Sequence, residues 1–165
     1  MLRKIISVWA VVVAVITFAQ IAVAQSAGLV LSDLSVNPSA PLETSADTLS
    51  MNQKNGTVVF EGNVVILQDT MRLQANRVEL WRAESDDLER MLATGNVLLV
   101  TATEEAEAQK ADYDITNGVI DMSGDVMISQ AKNAFLADDM TIDLNAGTAA
   151  LDGNVRTILN AGTKP

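Results

Sequence analysis

The chain has 165 residues, with 21 acidic against 11 basic, no histidine and no cysteine, for a formal net charge of −10. It has room for one domain with a real core, and its negative surface is a poor partner for nucleic acid. Lack of histidine removes the commonest general base and transition-metal ligand, and lack of cysteine leaves the core alone to hold the fold.

Arg3 and Lys4 precede an apolar run from Ile5 to Ala19, broken only by Ser7 and Thr17, and Ala22-Val23-Ala24 follows. That is the layout of a secretory signal peptide cut after Ala24. The competing reading is an uncleaved anchor, since Ile5 to Ala24 could just span a bilayer. From Gln25 onward nine basic and all 21 acidic residues remain, a formal charge of −12. Proline occurs at 38, 41 and 165 only, so the 123 residues from Leu42 to Lys164 have none, as an uninterrupted sheet requires. The expected organisation is a signal peptide at 1–24, a flexible lead-in at 25–43, a folded body at 44–159 and a tail at 160–165.

The body repeats. Units begin at Ala46, Ala75, Ala108 and Ala137 and reach Gly62, Gly95, Gly124 and Gly153, each glycine being followed by Asn or Asp and then Val. The Ala-to-Gly spacing is 16, 20, 16 and 16, and each of the first three glycines precedes the next alanine by 13. The unit is therefore about 29 residues, with four more in the second copy, in the charged segment Arg82 to Asp87. Asn55-Gly56, Asn117-Gly118 and Ala146-Gly147 supply tight turns at matching places.

Alternation within each unit is that of strands. Val58, Phe60, Gly62, Val64 and Ile66 share one parity, while Glu61 and Asn63 take the other; the later copies repeat this pattern. In the alanine arm the apolar parity slips by one, from Met71, Leu73 and Ala75 to Val78 and Leu80. The same slip follows Ala108 and Ala137. A one-residue slip turns later side chains to the opposite face, so a bulge is expected just after each alanine. Gly62 and Ala75 are expected roughly opposite each other, facing inward, where the sheet folds over. The fold class is all-β: an elongated two-sheet roll, half open, of about four strand-pair repeats.

The inward parity gives a candidate apolar groove lined by Leu49, Met51, Phe60, Val64, Ile66, Met71, Leu73, Leu80, Val97, Leu99, Met122, Val126, Phe135, Met140 and Ile142. Methionine-rich linings re-pack around irregular guests, and acyl chains gain about 0.8 kcal/mol per buried CH₂. The same residues would also serve as plain core. Asp112, Asp114 and Glu104-Glu105-Glu107 read as solvated charges, and no nucleophile–base pair or phosphate-cradling loop is visible. Neither an enzyme, a metal site nor a cofactor is expected.

The stretch from Ser45 to Trp81 resembles the opening of the OstA-like family, in its LptA-like branch, and the resemblance continues through residues 44–159. The family pattern A-D-x-L-x-(M/Y)-(D/N), a turn, then G-N-V, stands here at Ala46, Asp47, Leu49, Met51, Asn52 and Gly62-Asn63-Val64. Asn76 and Arg77 depart from it mildly, where the family favours Asp and then a basic or small residue. The resemblance implies a β-jelly roll in the periplasm that carries lipopolysaccharide from inner to outer membrane. Its implied partners are an LptC-like inner-membrane protein, an LptD-like outer-membrane protein and further copies of itself, joined head to tail. An LptC-like anchored protein and a non-lipid structural adaptor are the alternatives. End strands near Ala46 to Asn52 and Thr148 to Leu159 are expected to have unpaired edges suited to such joining.

Overall fold

The computed structural model describes residues 29–30, 40–85 and 87–160; the signal-peptide reading and most of the expected tail lie outside them. Eleven strands form one antiparallel sheet, and no residue among those described is helical. They are β1 (Leu29–Val30), β2 (Leu42–Ser45), β3 (Thr48–Asn52), β4 (Thr57–Gln68), β5 (Met71–Arg82), β6 (Leu88–Val100), β7 (Glu104–Asp114), β8 (Val119–Gln130), β9 (Asn133–Asp143), β10 (Thr148–Asp152) and β11 (Arg156–Ile158). From β4 to β9 each strand pairs with the next. β2 and β3 both lie on β4, and β10 and β11 both lie on β9.

Every long strand pair breaks register at one matching place, and these breaks fall in a row; β5 and β6 shift once more between Trp81 and Arg82. Between β4 and β5 the register shifts after Glu61 and resumes at Val64; on β6 it shifts between Thr94 and Val97, and on β8 between Ser123 and Val126. Beside β11 the corresponding residues, Gly153 to Val155, leave the ladder and divide it from β10. The inserted residue therefore sits on the glycine arm, not just after the alanine as the parity slip suggested. The alanine-arm residue that follows Ala75, Ala108 or Ala137 lies opposite the bulge, so the slip seen in sequence is the partner strand's response to it. Ala75 consequently faces Val64, and Gly62 is displaced toward Asn76.

The chemistry of the bulge explains the motif. Gly62 and Asn63 both have left-handed backbones, φ +79° and +46°, as do the corresponding pairs at 95–96, 124–125 and 153–154. Glycine takes that region freely, and Asn and Asp tolerate it best among the rest. The glycine must also be bare: the Asp47 side chain lies where a Gly62 Cβ would be, and Asn76, Gln109 and Asp138 cover the other three. Asn63 Nδ2 donates to Asp47 Oδ2 at 2.9 Å, Asn154 Nδ2 to Asp138 Oδ2 at 2.8 Å, and Asn96 Nδ2 to Asn76 Oδ1 at 3.3 Å. The Asp of A-D and the Asn of G-N-V are thus two ends of one contact at the first and last fold-over points; Asn76 takes the Asp's place at the second, and the third has Gln109 against Gly124.

Across this row each strand enters a second layer. One layer holds β2, the later halves of β4, β6 and β8, the earlier halves of β5, β7 and β9, and β11. The other holds β3, β10, β1 and the remaining halves. Inward side chains of both layers form one core whose fully buried members include Ile66, Met122, Ile128, Met140 and Ile142. The turns differ slightly from expectation. At Gly56, Gly118 and Gly147 the loop is four residues long, and only its glycine is left-handed.

Two further points depart from the sequence reading. Leu29–Val30 lies inside the segment expected to be a flexible lead-in, yet it is a strand, pairing with Ala149 and Thr148. The edge of β10, at the start of the expected last strand, is therefore partly covered by the chain's own lead-in.

Candidate functional site

The inward face is built by pairing. In an antiparallel pair directly opposed residues point to the same side, so Leu49 opposite Phe60 and Met51 opposite Val58 extend the inward face onto β3. Of the fifteen candidate lining residues, Val64, Ile66, Leu73, Leu80, Val97, Leu99, Met122, Val126, Met140 and Ile142 are buried. Phe60, Met71 and Phe135 are half-buried against them. Leu49 and Met51 are exposed, at 55% and 65%, and among the described residues no further strand lies beyond β3.

The far end mirrors this. Thr157 opposes Phe135 and shares its inward side; Val155 and Leu159, two steps away on either hand, are 52% and 66% exposed. The apolar face therefore runs through the molecule from β3 to the β11 end and emerges uncovered at both.

Between the layers lie small voids. One void of about 30 Å³ lies among Met71, Leu73, Met91, Leu99, Tyr113 and Ile120. A second, of about 10 Å³, shares Leu99 and is walled by Ile128, Met140, Ile142, Thr101 and Glu104. Burial raises the Tyr113 hydroxyl above its ordinary pKa. A larger cleft, of about 570 Å³, lies outside the core between the β3–β4 turn and the end of β5; most residues that line it are of polar type, though much of the surface they show is carbon, and it meets the inward face at Met51 and Val58. The apolar face, not that cleft, follows the long axis of the repeat.

Glu104 corrects the sequence reading. Grouped there with Glu105 and Glu107 as solvated, it is 6% exposed, on the same side as Ala106 and Ala108. Its parity with those alanines was the available signal. Asp112 is not a free solvated charge either. Arg90 grips it with two bonds, of 2.7 and 2.6 Å, and stacks over Trp81 at 5.0 Å. The Arg90 guanidinium holds the Asp112 carboxyl below the ordinary carboxylate range, and hydrogen bonds from Asn117 do the same for Asp114. These pairs, with Arg77 bound to Glu61 and Glu79, lace the outer face.

Comparison with known proteins follows the same outline. A family model described as LptA/(LptD N-terminal domain) LPS transport protein matches residues 43–148. An uncharacterized protein of Rhizobium meliloti is 24% identical over 143 residues, covering 81% of this chain and 77% of its own length. The crystal structure of LptH, described as the LptA-homologous periplasmic component of the lipopolysaccharide transport device of Pseudomonas aeruginosa, superposes with a TM-score of 0.67. Identity to it is 16%, over 73% of this chain and 96% of that one, so the likeness is one of fold.

Proposed function

Because the chain belongs to the LptA/LptD N-terminal-domain family of lipopolysaccharide transport proteins, we propose that it is a periplasmic bridge protein. In this reading it holds the acyl chains of lipopolysaccharide between its two layers and leaves the sugars outside. It joins end to end with further copies and with LptC-like and LptD-like partners. The observation that carries the reading is the apolar face that emerges uncovered at Leu49 and Met51 on one side and at Val155 and Leu159 on the other. Stacking a second roll on either end would cover those side chains and continue one interior into the next.

The interior voids are far smaller than an acyl chain, so loading requires the layers to part. The layers meet through side chains, while the ladder bonds run within each layer and around the bulge row. Parting them breaks few backbone bonds, and each buried CH₂ of the guest returns about 0.8 kcal/mol of the lost contact. The net charge, −10 for the full chain and −12 from Gln25 onward, suits a carrier that must release a phosphorylated cargo.

Photocrosslinking tests the reading. A photoreactive residue at Phe60, Leu73, Met122 or Ile142 should label with lipopolysaccharide, and one at Glu61 or Asp121 should not. Equal labelling from both sets would mean adsorption to the surface and would end the groove reading.

A further inference from the structure

Among the described residues one side-chain atom is buried without a partner: Glu104 Oε2. The rest of the residue is satisfied. Gln130 Nε2 donates to Glu104 Oε1 at 2.8 Å, the Glu104 amide donates to Thr101 Oγ1 at 3.1 Å, and its carbonyl accepts from the Thr101 amide at 2.9 Å. A buried carboxylate needs several donors, and this one has a single side-chain donor. Glu104 is one of the residues that wall the 10 Å³ void, and the others are apolar apart from Thr101. The void admits a group the size of a hydroxyl or a water, and little more. It shares Leu99 with the larger void beside Met71 and Met91, so the two voids adjoin within the interior.

We propose that Glu104 is a specificity-determining residue of the interior slot, whose Oε2 accepts a hydrogen bond from a hydroxyl borne by a bound acyl chain. The inference rests on the lipid reading above and deepens it. A plain hydrocarbon chain entering the slot would expel any water from this oxygen and leave it unsatisfied, which penalises that guest. A chain with a hydroxyl at the matching height removes the penalty and gains a charge-assisted bond. Glu104 is the first residue of β7, beside the exposed Ala102-Thr103 turn. The matching hydroxyl therefore lies near the polar end of the chain, not at its middle.

The test compares 3-hydroxytetradecanoic acid with tetradecanoic acid, each displacing a fluorescent fatty acid from the purified protein. The two differ by one hydroxyl. The wild type should prefer the hydroxylated acid by roughly tenfold or more. Glu104→Leu should lose that preference while binding the plain acid at least as well, and Glu104→Gln, which keeps an acceptor, should retain part of it. Equal affinities in the wild type, as expected if a water alone occupies the void, would overturn the proposal. So would a preference that survives in Glu104→Leu. Should Glu104→Leu fail to fold, the wild-type ratio and the Gln variant still decide. If neither acid displaces the probe, the lipid slot itself fails, which is a different outcome from equal binding.

Discussion

Gly95 and Gly147 share a left-handed backbone, φ +77° and +64°, but not their surroundings. A Cβ on Gly95 would stand 2.6 Å from Asn76 Nδ2, whereas one on Gly147 would meet nothing within 4 Å. Gly147→Ala should therefore cost only the backbone preference, about 1 kcal/mol. Gly95→Ala adds a clash inside the fold-over point and should cost about 2–4 kcal/mol. Urea unfolding of both variants checks this, and equal losses would mean that Asn76 yields freely. Spacing alone made these glycines legible, because a bulge that recurs at one place in every unit writes its backbone demand into the sequence. Glu104 was legible in principle and was overridden by composition: three glutamates within four residues suggest solvent, although alternation with Ala106 and Ala108 places the first of them inside.

At the scale of elements, parity revealed that every unit bends but not which strand holds the extra residue. A slip on one strand and an insertion on its neighbour leave the same alternation, and only pairing distinguishes them, as at Gly62-Asn63 opposite Asn76. Turn chemistry was read less well where the residue is ordinary. Ala131, in the β8–β9 turn, is left-handed at φ +54° and exposed. Ala131→Gly should raise stability by about 0.5–1 kcal/mol, the relieved backbone cost exceeding the added unfolded-state entropy; a loss in thermal melting would refute it. The outer ladder offers a pH test. The folded pKa of Asp112 is lowered, chiefly by its hydrogen bond from Arg90. The stabilisation is thus present above the ordinary Asp value of about 3.9 and is lost as pH falls through the lowered folded value. The stability gap between wild type and Asp112→Asn should hold from neutral pH to about pH 4 and narrow below it. A gap that persists at lower pH would point to packing against Trp81 as its source.

On the scale of the whole molecule, the repeat implied a roll with two ends, and the ends are where neighbouring units are missing. The sequence could not show that the lead-in returns to the last strand, because two residues, Leu29 and Val30, carry no periodicity. That strand covers β10 at Thr148 and Ala149 only, leaving β11 at the edge, flanked by the exposed Val155 and Leu159. The other end presents Leu49 and Met51 along β3. If the two ends are mates, the contact is heterologous: one surface binds a different one, and growth need not close. Two variants separate this from symmetric pairing. Leu49→Glu with Met51→Glu spoils the first end, and Val155→Glu with Leu159→Glu spoils the last; all four side chains are exposed, so the fold should survive, as circular dichroism would verify. Wild type should sediment as elongated species that lengthen with concentration, and each variant alone should stay monomeric under the same conditions. Mixed one to one, the variants retain a single compatible pair of ends, so they should form heterodimers and stop there. Homodimers of either variant would mean that an end binds its own copy, and an inert mixture would mean that neither end makes the joint.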